Sequence, residues 1–169
     1  MRKILTAWLC LWALTAAAEK ADRDKPVQIE ANRMSADDAR RMNIFEGNVV
    51  LTKGTMSLRA ERVVVRQDAE GYSYATATGG PARFRQRQDA KAGEKEGVWL
   101  EGEAQRIELD DRASTVKLFE NARVNRGGDE VAGNYILVDQ RSEFYSVSAG
   151  KGSDERVKMT IQPAKPPAK

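Results

Sequence analysis

Histidine is absent from this sequence of 169 residues, and cysteine occurs only once, at Cys10. Histidine is the usual general base at neutral pH, and cysteine supplies the thiol nucleophile of many enzymes. Zinc sites are built mostly from the same two residue types. These absences argue against an enzyme, and we predict no catalytic residues, no cofactor and no metal site.

Two pairs of adjacent carboxylates, Asp37-Asp38 and Asp110-Asp111, are the remaining candidates for chemistry. They suit calcium binding or acid–base catalysis, but neighbouring residues on a strand point to opposite faces. We therefore interpret both pairs as turn residues, and the Gly79-Gly80-Pro81 run as another turn. A glycoside hydrolase needs two carboxyl groups about 5–9 Å apart. Nothing in the sequence points to a pair of carboxylates in that role.

Long apolar runs are also lacking, with one exception near the N-terminus. Arg2 and Lys3 precede an apolar run at residues 4–14, and Ala16-Ala17-Ala18 follows it. This pattern predicts a secretory signal peptide at residues 1–18, cleaved after Ala18. An uncleaved membrane anchor is the alternative, but the run is short for a bilayer span.

Charge of either sign is not in large excess. The whole chain has 28 basic and 25 acidic side chains, and loss of Arg2 and Lys3 with the signal peptide leaves 26 against 25, a net charge of +1. A nucleic-acid-binding protein concentrates lysine and arginine on one face, so this balance predicts no nucleic-acid partner. Cys10 leaves with the signal peptide, so the exported chain has to be stabilised by its core or its sheet rather than by a disulfide.

Alternation of apolar and polar residues is the dominant pattern. It is clear at residues 27–31, 72–78 and 156–161, and no segment sustains a period of 3.6 residues. We count about fifteen short strands at the spacing typical of a sandwich or barrel, and predict an all-β protein. We expect a flexible N-terminus at residues 19–25, one domain at 26–162 with a mobile polar loop at 89–97, and a disordered tail at 163–169.

An internal repeat accompanies this alternation. The stretch Ile44-Phe45-Glu46-Gly47-Asn48-Val49-Val50-Leu51 is typical of strand, tight turn, strand, because Gly and Asn readily adopt positive φ. Seventy-three residues later the chain continues Leu118-Phe119-Glu120-Asn121-Ala122-Arg123-Val124. The same offset relates Asp37-Asp38 to Asp110-Asp111 and residues 63–65 to 136–138. We predict two copies of one β-rich unit.

Two further features each allow two interpretations. Arg83, Arg85 and Arg87 share one face of a strand, with Phe84 on the other. That face is either an ordinary solvated surface or a contact for phosphates, including those of a lipid head group. The apolar faces are thin, with aromatics at only 7% of the chain. They form either a small core or the walls of a slit that stays open to hold apolar ligand chains.

Five stretches, taken together and in order, resemble the OstA-type family. They are Pro26-Val27-Gln28-Ile29-Glu30-Ala31, Phe45-Glu46-Gly47-Asn48-Val49, Ala60-Glu61-Arg62-Val63, Gly80-Pro81-Ala82-Arg83-Phe84 and Leu100-Glu101-Gly102. The resemblance implies a single β-jellyroll of two facing antiparallel sheets with an open slit. It also implies a periplasmic carrier that holds the lipid A acyl chains of lipopolysaccharide in that slit. Copies would join head to tail and bridge an inner-membrane export complex to an outer-membrane translocon.

The resemblance also implies the positions that bind lipid. The family's inward positions match Val27, Ile29, Val63, Val65, Phe84, Ile107 and Leu109. The same residues fall on the apolar side of the alternation. The chain departs from the family at Glu120, where a glycine is usual.

A different function would use the edges of the sheet alone. Residues 27–31 and 156–161 contain no proline, so nothing in them prevents pairing with a strand of another chain. The alternative hypothesis is therefore a periplasmic scaffold module that joins proteins by strand addition and carries no lipid.

Overall fold

The computed structural model describes residue 22 and residues 25–88, 97–142, 144–150 and 156–163. The predicted signal peptide, most of the polar loop and residues 164–169 of the predicted tail lie outside these ranges. The described residues include no helix that is long and apolar enough to cross a bilayer. The boundaries at 19–25, 26–162 and 163–169 stay predictions. Within the first of these segments Asp22 is buried, and its carboxylate accepts a hydrogen bond from the Thr55 amide at 2.8 Å.

Every regular element from residue 25 onward in the described ranges is a β-strand, which confirms the all-β prediction. The strands are β1 (Gln28–Glu30), β2 (Arg33–Asp37), β3 (Met42–Lys53), β4 (Met56–Gln67), β5 (Ser73–Arg87), β6 (Trp99–Asp110), β7 (Thr115–Arg126), β8 (Asp129–Asp139), β9 (Phe144–Ser148) and β10 (Lys158–Thr160). They form one antiparallel sheet in the order β1-β3-β4-β5-β6-β7-β8-β10. In addition, β2 pairs with β3, and β9 pairs with β8.

A line of irregularities runs across this sheet near the middle of its long strands. The pairing register shifts between Glu46 and Val49, Arg59 and Arg62, Thr78 and Ala82, Glu103 and Arg106, and Phe119 and Ala122. Because these positions are neighbours on consecutive strands, the shifts line up into one crease. Bulges bend and twist a strand, so the crease folds the sheet into two halves that face each other.

The two halves are named here by their edge strands. The β1/β10 half-sheet contains β1, β10 and one arm of each of the six long strands, and the β2/β9 half-sheet contains β2, β9 and the other arms. Each half-sheet therefore has eight segments. The predicted count of about fifteen short strands matches these segments, but it is wrong for the strands themselves, because six of them pass through the crease unbroken.

The predicted tight turn at residues 44–51 is also corrected: it lies inside β3, where Gly47 and Asn48 have φ of 79° and 49°. Gly47 is required there, since a Cβ would lie 2.7 Å from Asn32 Nδ2. In β7 the equivalent Glu120 and Asn121 have φ of 64° and 54°. The bend is thus the same in both copies, although Glu120 lacks the freedom of glycine. Gly79-Gly80-Pro81 likewise lies inside β5 rather than in a turn between strands.

The predicted internal repeat agrees with the strand boundaries. Shifting β3 by the 73-residue offset gives the bounds of β7, and the same shift places β4 over β8. Applied to β2, it gives the second arm of β6. The chain therefore builds its sheet from two copies of the same sequence of arms, with β5 lying between them.

The core lies next to the crease, where both half-sheets contribute side chains that are at most 1% exposed. Its members include Val49, Leu58, Val63, Ala77, Ala82, Ile107, Leu118 and Ile136. Gly102 shows how closely the halves approach, because a Cβ on it would lie 2.9 Å from Leu118 Cδ2. The thin apolar faces therefore do form a small, tightly packed core, which includes the crease and extends toward the strand ends at Leu100, Val116 and Val138.

Candidate functional site

A cavity of about 690 Å³ lies between the half-sheets, toward the strand ends farthest from the crease, which are called the tips here. Both half-sheets line it. The β1/β10 half-sheet contributes Val27, Ile29, Leu51, Lys53, Met56 and Gln86, and Asp22 adjoins them. The β2/β9 half-sheet contributes Val65, Gln67, Ser73, Ala75, Leu109, Asp110 and Thr115, with Asp111, Ser114, Gln140 and Arg141 from its tip loops.

The wall nearer the crease is apolar, and strand periodicity explains why. Val65, Ala75 and Leu109 are register partners on β4, β5 and β6, so their side chains form one row on the inner face. Across the cavity, Ile29 and Leu51 are register partners on β1 and β3. Side chains two residues apart on a strand share a face, and each of these residues continues the face that forms the core.

The wall at the tips is polar and joins the two half-sheets. Lys53 Nζ at the end of β3 lies 3.2 Å from Asp111 Oδ1 in the loop after β6. Gln140 Nε2, which follows β8, donates a hydrogen bond to Gln86 Oε1 on the opposite half-sheet. The cavity is therefore apolar toward the crease and polar toward the tips, which suits a ligand with one apolar and one polar part.

The seven residues predicted to bind lipid fall into two groups. Val27, Ile29, Val65 and Leu109 line the cavity. Val63, Phe84 and Ile107 are 0%, 3% and 0% exposed and belong to the packed core. The structure brings all seven to the inner side of the sheet, and their role in lipid binding stays a prediction.

Sequence reasoning missed three apolar residues of the cavity wall, Leu51, Met56 and Ala75. The signal that finds them is the same alternation, because Leu51 lies two residues after Val49, and Met56 two residues before Leu58. Ala75 is recognised only from its register partners, since alanine by itself indicates neither a core nor a cavity.

Arg83, Arg85 and Arg87, called the arginine strip here, face away from the cavity. Arg83 Nε lies 3.5 Å from Glu103 Oε2, and Arg85 Nε lies 3.1 Å from Glu101 Oε1, on the outer face of the β1/β10 half-sheet. The Arg85 guanidinium also stacks 3.8 Å from the centre of the Trp99 ring. Arg87, at the end of β5, donates from Nε to the Gly97 carbonyl at 3.4 Å. These partners favour the solvated-surface interpretation of the strip.

Metal and acid–base chemistry have little support in the described part of the chain. No group of three or more metal-ligating side chains occurs there. Near the cavity, amide hydrogen bonds from Ser142 and Arg141 lower the pKa of the Asp139 carboxyl. Asp139 is half-buried at the end of β8, and its carboxylate accepts hydrogen bonds from the next loop, so this shift marks a loop contact rather than a catalytic acid.

Fold and site together define a class of protein: a creased, jellyroll-like β-sheet whose halves enclose a cavity suited to a partly apolar ligand. The chain belongs to the family described as LptA/(LptD N-terminal domain) LPS transport protein, whose model matches residues 28–144.

Curated relatives are named as lipopolysaccharide export system proteins. The lipopolysaccharide export system protein LptH of Pseudomonas aeruginosa is 28% identical over 156 residues, covering 89% of this chain and 86% of LptH. LptA of Escherichia coli K12 is 28% identical over 148 residues, covering 85% and 77% of the two chains. LptA of Haemophilus influenzae is 25% identical over 164 residues, covering 95% and 91%.

A solved structure confirms the fold. The crystal structure of LptH from Pseudomonas aeruginosa, described as the LptA-homologous periplasmic component of the conserved lipopolysaccharide transport device, superposes with a TM-score of 0.74. Its sequence is 26% identical, and the match covers 84% of this chain and 99% of that one.

Proposed function

We propose that this protein is a periplasmic carrier that binds lipopolysaccharide and moves it from the inner to the outer membrane for outer-membrane assembly. The lipid A acyl chains lie in the cavity between the half-sheets, against the apolar wall formed by residues such as Ile29, Val65 and Leu109. Family membership supports the transport role, and the polarised cavity supports the mode of binding. The role needs no catalytic step.

Affinity in such a site comes mainly from hydrocarbon leaving water. Each buried methylene group contributes about 0.8 kcal/mol, so part of one acyl chain is enough for stable binding. Successive copies of the protein bind with equal strength, so exchange between them has no preferred direction. Net movement therefore depends on the inner-membrane export complex that loads the first copy.

The sheet edges support an assembly of copies joined head to tail. At one edge Val27, just before β1, and the inward-facing Met34 of β2 are 45% and 57% exposed. At the other edge the inward-facing Tyr145 of β9 and Met159 of β10 are 42% and 51% exposed. Pairing of opposite edges by strand addition covers these side chains and extends the cavity from one copy into the next. The same edges offer contacts to the inner-membrane export complex and the outer-membrane translocon.

The observation that carries the proposal is the apolar row Val65–Ala75–Leu109 facing the cavity. A photo-crosslinking residue at Leu109 is expected to label lipopolysaccharide in cells. The matched control is Thr76, which lies next to Ala75 on β5 but faces outward, and it is expected to give no lipid adduct.

The same experiment decides between the carrier and the scaffold module suggested by the receptive edges. Lipid adducts at Leu109 support the carrier. Adducts with protein neighbours alone at that inward position, or equal lipid labelling at Leu109 and Thr76, contradict lipid binding in the cavity and favour the scaffold.

A further inference from the structure

The charged groups on the cavity wall have an excess of negative charge. Lys53 and Arg141 are its two cations, and Asp22, Asp110 and Asp111 are its three anions. At neutral pH the formal charge of the lining is therefore −1. A phosphate placed in this cavity meets net repulsion, and a low-dielectric surrounding strengthens such repulsion.

The lysine of the lining already has a partner. Lys53 Nζ lies 3.2 Å from Asp111 Oδ1, and the Lys53 side chain is only 16% exposed. A phosphate that binds this ammonium has to displace the Asp111 carboxylate, which then remains close to the incoming anion. Lys53 thus ties the half-sheets together across the tips rather than presenting a free cation.

The arginines of β5 lie on the face of the sheet opposite to the cavity. Arg83 and Arg85 lie on the outer face and pair with Glu103 and Glu101. A lipid whose chains lie between the half-sheets cannot reach them with its head group.

Uncharged polar groups do line the cavity at the tips. They are Ser73, Gln86, Ser114, Thr115 and Gln140. These groups offer hydrogen-bond donors and acceptors to the hydroxyl and amide groups of a ligand.

We infer that the cavity recognises lipopolysaccharide by its acyl chains and the hydroxyl and amide groups beside them, and gains no affinity from the phosphates of lipid A. This inference rests on the proposed function and adds that the phosphates of lipid A contribute nothing to recognition by the cavity. The phosphates stay in water at the tips.

The test compares two probes on the purified mature protein at low ionic strength, where electrostatic attraction is strongest. One probe is lipid A with both phosphates, and the other is the same lipid after dephosphorylation. The two dissociation constants are expected to agree within about threefold. A dephosphorylated lipid that binds tenfold or more weakly overturns the inference, whereas failure of both probes to bind overturns the proposed function as well.

Two matched substitutions locate any phosphate contact. Asp111→Asn frees Lys53 and makes the lining neutral, so this variant is expected to prefer the phosphorylated probe by roughly fivefold. Glu103→Gln frees Arg83 on the outer face by the same chemical change and is expected to leave the ratio of the two probes unaltered. A ratio that changes with Glu103→Gln and not with Asp111→Asn contradicts the inference.

Discussion

A larger side chain in the cavity should weaken lipid binding without lowering the stability of the fold. Ala75 and Ala77 lie two residues apart on β5 and face the same side of the sheet. Ala75 lines the cavity, whereas Ala77 is 0% exposed in the core beside the crease. Replacing each in turn with leucine adds the same atoms at positions that differ only in the space in front of them.

The magnitudes follow from that difference. Ala75→Leu adds the equivalent of three methylene groups to the cavity and takes that space from the ligand. At about 0.8 kcal/mol per methylene the loss of binding free energy is about 2.4 kcal/mol, or roughly 50-fold in the dissociation constant. Ala77→Leu has no space to occupy, and overpacking of a tight core costs typically about 1–3 kcal/mol of stability.

Lipopolysaccharide binding and urea unfolding, measured on both variants, test this reasoning. Ala75→Leu is expected to bind far less lipid while unfolding at the same or a higher urea concentration than the parent protein. Ala77→Leu is expected to unfold at a lower concentration. If Ala75→Leu is as destabilised as Ala77→Leu and still binds lipid normally, the space in front of Ala75 is not the ligand site.

Three further predictions concern the crease, an edge and a tip loop. Glu120→Gly should raise the free energy of unfolding by about 1 kcal/mol in urea titrations, because glycine tolerates a φ of 64° without strain, whereas Gly47→Ala should lower it. Met159→Glu should weaken self-association in sedimentation experiments without changing the melting temperature, since Met159 is 51% exposed; tighter association would contradict the edge pairing. The lowered pKa of Asp139 in the folded state implies stability that is present above its unfolded-state pKa of about 3.9 and is lost as pH falls through the folded-state pKa. Asp139→Asn should therefore melt lower than the parent at pH 7 and match it near pH 2.

Alternation alone was enough to predict the all-β class and the inner face of the strands, because a period of two residues is imposed by the strand itself. The 73-residue repeat could also be predicted from the sequence, since two copies of one sequence pattern form two copies of one arrangement of strand arms. The number of strands could not be predicted from the sequence. Gly47-Asn48 has residue types that favour a tight turn, and only the pairing partners of β3 show that the chain bends at a bulge and continues in the same strand.

The boundary between core and cavity was beyond sequence reasoning for a related physical reason. Val63 and Val65 lie on the same face of β4, and Ile107 and Leu109 lie on the same face of β6. The first of each pair is closed in by the opposite half-sheet near the crease, and the second faces open space toward the tips. Alternation specifies the face, but the fit of the opposite half-sheet decides whether that face is packed or open, since Val116, the register partner of Leu109, is 1% exposed.

The crease thereby connects the fold to the proposed transport. Because the halves meet tightly at one end, small side chains such as Ala77 and Ala82 are enough to stabilise the sheet. Because the halves separate toward the tips, the same apolar faces are left with a cavity that a hydrocarbon chain can fill. Widening this cavity breaks the polar contacts of Lys53 with Asp111 and of Gln86 with Gln140 at the tips. One hydrogen bond or hydrogen-bonded ion pair has a net worth of about 0.5–3 kcal/mol, so lipid can enter and leave without unfolding the carrier, as passage from copy to copy demands.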